Sequence, residues 1–108
     1  MRIGIIGGVE RGWSNYEELA RAEGFSVELH SGHVRGRGGE SLESLVQRSD
    51  LVVIVTEINS QAGVQQARKL VRRHGRRQLL VRNFGVSRFA ALLAALRIER
   101  RGRAASAG

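Results

Sequence analysis

His30 and His33 stand three residues apart in the stretch LHSGHV, close enough for both imidazoles to converge on one metal ion or on haem iron. Zinc ordinarily takes four ligands, and catalytic sites draw three of them from protein. Glu57 or Glu10 could approach across the sheet end as a third donor, though nothing in the sequence requires it. The plainer reading makes His30 a polar residue on an edge strand and His33 a turn residue. With no cysteine in the chain, disulfides and thiolate metal sites are excluded. No Ser is paired with a His at a local spacing that would build a nucleophile, base and orienting group. The side chains therefore favour binding over catalysis.

Several polar stretches suit an anionic ligand. In RGRGGES, Arg35 and Arg37 sit on a glycine-flexible backbone ahead of a predicted helix start, where backbone N–H groups attract anions. A solvated loop is the simpler account of the same residues. TEINSQ offers Thr56 at a strand end, Glu57 as a lone carboxylate, and Asn59 and Ser60 at a helix start. Capping explains Asn59 or Ser60 but not the whole cluster. RNFGVS adds Arg82, Asn83 and Ser87. The opening RIGIIGG ends in Gly7 and Gly8, which either turn the chain tightly or let the backbone approach an anion or a partner. Gly4, Gly7, Gly8 and Gly12 do not reproduce the G-x-G-x-x-G dinucleotide spacing, and the only lysine, Lys69, lies in a helical pattern rather than a P-loop.

These stretches are positioned by alternating strand and helix signals. Strands are predicted at Arg2–Gly7, Phe25–His30, Asp50–Thr56 and Gln78–Arg82. DLVVIVTE is a continuous β-branched run, as in a strand buried on both faces of a parallel sheet. FSVELH alternates instead, which places it at an edge. Helices are predicted after Asn15, ending at Gly24; after Ser41; after Asn59 or Ser60, ending at Gly75; and after Ser87, with Phe89, Leu92, Leu93 and Leu96 on one face. Alternation with short connections implies right-handed crossovers and a parallel sheet. The expected fold is α/β: a single small three-layer Rossmann-like or flavodoxin-like domain, with a four-stranded parallel sheet in the order 2-1-3-4. Ligands of such sheets gather beyond the carboxyl ends of the strands, where the strand order reverses. All four polar stretches follow strands.

Charge is unevenly placed. Residues 1–60 hold six arginines against nine acids, whereas residues 61–108 hold eleven arginines and Lys69 against Glu99 alone, for a net +8 over the chain. Arg68, Lys69, Arg72, Arg73, Arg76 and Arg77, followed by Arg100, Arg101 and Arg103, suit salt-dependent, nonspecific contact with nucleic acid. The segment RRGRAASAG lacks apolar periodicity, so residues 1–98 read as the domain and 99–108 as a basic, disordered tail. No apolar run approaches bilayer length, and no signal-peptide pattern opens the chain. A cytoplasmic location is expected. Sheet edges and apolar helix faces of so small a domain also suit a homodimer, with Trp13 a weak pointer to an interface.

The succession of GG after strand 1, H-x-G after strand 2, T-E-x-x-S after strand 3 and R-x-x-G-x-S after strand 4 resembles the bacterial domain-of-unknown-function family 2325. The matching residues are Gly7, Gly8, His30, Gly32, Thr56, Glu57, Ser60, Arg82, Gly85 and Ser87, and the similarity runs over residues 2–96. Glu57 replaces the family's usual Asp and Gln61 its frequent His, which removes one potential ligand or proton carrier. The resemblance implies a small Rossmann-like fold and assigns no activity.

The leading expectation is a non-enzymatic, regulatory domain binding a small ligand, anionic or nucleotide-like, or a protein partner. The site would comprise Gly7, Gly8, His30, Gly32, Arg35, Arg37, Thr56, Glu57, Asn59, Ser60, Arg82, Asn83 and Ser87, with no cofactor named. The alternatives are nucleic-acid association through the basic half, and haem or metal binding through His30 and His33.

Overall fold

The computed structural model describes residues 1–7, 13–31, 38–56, 61–82 and 84–107. Its elements are β1 (Arg2–Ile6), α1 (Trp13–Ala22), β2 (Ser26–His30), α2 (Gly38–Arg48), β3 (Leu51–Val55), α3 (Gln61–Arg73), β4 (Arg77–Val81) and α4 (Val86–Ala107). All strand pairs are parallel, and the order is β2-β1-β3-β4. The expected order and fold class are both present.

The pleat sends successive side chains to opposite faces, and two cores result. On one face Ile3 and Ile5 of β1 and Leu51, Val53 and Val55 of β3 meet Tyr16 and Ala20 of α1 and Phe89, Leu93 and Leu96 of α4. On the other, Ile6, Val52 and Ile54 meet Leu42, Leu45 and Val46 of α2 and Ala67, Leu70 and Val71 of α3. β3 is buried at all five positions, which is why its sequence is an unbroken β-branched run. Each fully buried Leu, Ile or Val side chain contributes about 1.5–3 kcal/mol through removal from water.

Gly4 lies where α2 crosses β1. A Cβ there would overlap Leu45 Cδ2 and the buried Ser49 Oγ, so only glycine lets the helix settle on the strand. The Ser49 hydroxyl donates to the Leu45 carbonyl at 2.7 Å and is thereby satisfied.

β2 is the expected edge: Val27 and Leu29 pack inward, while Glu28 takes the Arg48 guanidinium of α2. The other edge is more open. Leu79 and Leu80 of β4, facing opposite sides of the sheet, are 37% and 43% exposed.

Helix ends differ from the capping assignments in three places. α1 begins at Trp13, so Asn15 lies inside its first turn. α2 begins at Gly38, and the Ser41 hydroxyl pairs with His30 rather than capping. α4 begins at Val86, with Phe89 N–H donating to the Gly85 carbonyl at 2.9 Å. The closures at Gly24 and Gly75 hold: Phe25 N–H reaches the Ala20 carbonyl at 2.8 Å and Arg76 N–H the Val71 carbonyl at 3.0 Å, the six-to-one bond of a Schellman end. α4 runs on through residue 98 to Ala107. Glu99 accepts from Arg77 at 2.8 Å, and the Arg100 guanidinium lies 5.4 Å from the Phe25 ring centroid. Alanine and arginine sustain a helix without an apolar stripe. Among the described residues no helix is long and apolar enough to cross a membrane.

Candidate ligand site at the strand ends

β1 and β3 are neighbours, yet the helices that follow them pack on opposite faces, α1 on one and α3 on the other. This is the topological switch point of an open α/β sheet, the place where a crevice forms between diverging connections. Gly7 and Thr56, the described residues that follow β1 and β3, therefore stand at the centre of the candidate site.

Gly7 is buried and holds φ 95°, a conformation that side chains rarely adopt. Its N–H donates to the His30 carbonyl at 2.7 Å, extending the β1–β2 ladder by one rung. On the far side Thr56 does the same toward β4. Its N–H donates to the Val81 carbonyl at 2.8 Å and its hydroxyl to the same oxygen at 3.2 Å. Between them the β1–β3 register runs from Ile3 and Leu51 to Ile6 and Ile54. Gly7 and Thr56 are thus fixed by backbone bonds directed away from the centre of the sheet.

The outer members sit one strand further on. His30 ends β2, with Nε2 2.9 Å from Ser41 Oγ in the first turn of α2, one atom donating and the other accepting. Arg82 follows β4, exposed and with no ion pair among the described residues. Ser87 is exposed in the first turn of α4. With strands about 4.8 Å apart, His30 and Arg82 end strands roughly 14 Å apart.

Of the expected site residues, Gly7, His30, Thr56, Arg82 and Ser87 stand along one end of the sheet. Gly8, Gly32, His33, Arg35, Arg37, Glu57, Asn59, Ser60 and Asn83 lie outside the described residues. No group of three or more His, Cys, Asp or Glu side chains placed to hold a metal occurs among the described residues.

Sequence reasoning missed three residues that neighbour these. Ser41 is eleven residues from His30, so only the fold brings them together. Phe84 and Tyr16 join Phe89 in an aromatic cluster under the β4 end, with centroids 5.1–6.0 Å apart and mostly edge-to-face. Burial pushes the Tyr16 hydroxyl above the usual tyrosine value, so it stays protonated. A signal for Phe84 existed: it is one of only three phenylalanines and stands among polar strand-end residues.

A cavity of about 350 Å³ opens at the opposite end of the strands, lined by Met1, Phe25, Asp50, Arg77, Leu96, Glu99 and Arg100. Its charged groups are engaged within the protein: Asp50 accepts from Arg2 N–H at 2.7 Å, Arg77 pairs with Glu99, and Arg100 covers Phe25.

A small parallel sheet with helix pairs on both faces and glycine, threonine and arginine at its carboxyl end defines an α/β domain of the Rossmann-like class. The chain matches the family described as an uncharacterized protein conserved in bacteria (DUF2325) over residues 2–96, and it belongs to that family. No curated protein and no solved structure matches it.

Proposed function

We propose that this is a cytoplasmic, non-enzymatic domain that binds a small anionic, nucleotide-like molecule at the carboxyl ends of its strands and acts as a regulator. One observation carries the reading: β1 and β3 lie side by side while α1 and α3 diverge to opposite faces, with buried, left-handed Gly7 at the rim. Arg82 supplies positive charge to the anion, Ser87 offers a hydroxyl donor, and the Phe84–Tyr16 cluster gives the site an apolar wall.

Isothermal titration of the chain with ADP, AMP and inorganic phosphate tests it. Binding of at least one of these, lost in Arg82→Ala while the thermal transition stays within a few degrees, supports the proposal. Absence of binding up to millimolar concentrations overturns it.

A further inference from the structure

Several cations of the described residues are engaged within the protein. Arg73 lies 3.6 Å from Glu43, Arg77 2.8 Å from Glu99 and Arg97 2.9 Å from Glu23, while Arg48 pairs with Glu28. Arg76 donates to the Gln47 carbonyl at 2.7 Å. Arg68, Lys69 and Arg72 are exposed and have neither ion pair nor side-chain hydrogen bond among the described residues.

These three lie on the outward face of α3, opposite its buried Ala67, Leu70 and Val71. With Gln65 they line an open groove of about 410 Å³. Arg73 and His74 mark the flank turned toward Glu43 of α2, so Arg68 and Arg72 occupy the flank away from it. Like charges at i, i+3 and i, i+4 repel along a helix, and α3 carries no acidic residue to relieve them. Glu17 and Glu18, which have no ion pair among the described residues, are on α1, on the opposite face of the sheet, and Glu40 is in the first turn of α2. A charge cluster left uncompensated and facing outward fits a polyanion with regularly spaced charges.

We propose that the outward face of α3 docks on the phosphate backbone of nucleic acid through Arg68, Lys69 and Arg72. Among the described residues the groove lining contains no aromatic ring to stack on a base, so contact is with phosphates and carries no sequence preference. This surface is separate from the strand-end site and does not depend on it.

The test is fluorescence anisotropy of a labelled, mixed-sequence DNA duplex of about 20 base pairs, titrated with the full chain. Three phosphates neutralised give a slope of log K against log salt near −2.7, a loss of roughly 40-fold between about 50 and 200 mM salt. Replacing Arg68, Lys69 and Arg72 together by Gln brings the slope close to zero and weakens binding at least tenfold at about 50 mM salt. Arg72→Gln alone reduces the slope by about one unit. A control with Arg21→Gln, Arg48→Gln and Arg97→Gln has the same net charge and stays within about twofold of the parent. Equal weakening in both triple variants, or no binding by the parent at about 50 mM salt, overturns the proposal. Competition by poly-glutamate as effective as by unlabelled duplex also overturns it, and assigns the face to an acidic protein.

Discussion

Ser41 Oγ sits 2.9 Å from His30 Nε2, clasping the end of β2 to the first turn of α2. The contact fixes where α2 begins relative to the sheet, and it occupies one nitrogen of the imidazole. Ser41→Ala should cost about 0.5–1.5 kcal/mol, the net worth of one such hydrogen bond. Urea denaturation measures it, and imidazole nitrogen chemical shifts should move in the same variant. A change in stability with no change at the imidazole would place the effect elsewhere.

Gly7→Ala should destabilise the domain by about 1–2 kcal/mol, because a Cβ at φ 95° is strained. If the strand-end site binds as proposed, affinity for its anion falls in the same variant by more than the stability change accounts for. Calorimetry on the folded fraction separates the two.

Gly4→Ala should destabilise by about 1–3 kcal/mol through overlap with Leu45 and Ser49. Combining it with Leu45→Ala should cost less than the sum of the two, since the smaller side chain relieves the overlap. Additive effects would mean that α2 moves away from β1 instead.

Tyr16 yields a pH expectation. Burial raises its pKa above the unfolded value of 10.0, so the folded state holds the phenolic proton more tightly. That contribution is complete below pH 10.0 and is lost as pH rises from there through the higher folded value. The fall is at most about 1.4 kcal/mol per pH unit for one proton. Tyr16→Phe keeps the ring cluster and should flatten this alkaline limb in denaturation curves taken across the range.

The strand order was legible because burial leaves a periodic trace: β3 with two covered faces reads as a continuous β-branched run, and β2 with one reads as alternation. Helix starts were less so. Asn15, Ser41 and Ser87 all have capping chemistry, yet each lies within a first turn, because a hydroxyl or amide near a helix start can equally bond a neighbour in space. Ser41 shows this directly. The extension of α4 past residue 98 was hidden because helix propensity without periodicity leaves no apolar stripe to read. At the site, Gly7, Thr56 and Arg82 were visible as types following strands. Their mutual placement rests on strand order, and the Tyr16–Phe84 contact rests on the packing of α1 beside α4.

The central claim, that the carboxyl end of the sheet is the ligand site, is tested most directly by amide chemical-shift mapping during titration with ADP. The account predicts saturable shifts at Gly7, Ser31, Thr56 and Arg82, with Phe25, Asp50 and Arg77 at the opposite end of the strands unmoved. Shifts confined to that opposite end, or none at millimolar ADP, AMP and phosphate, would contradict it.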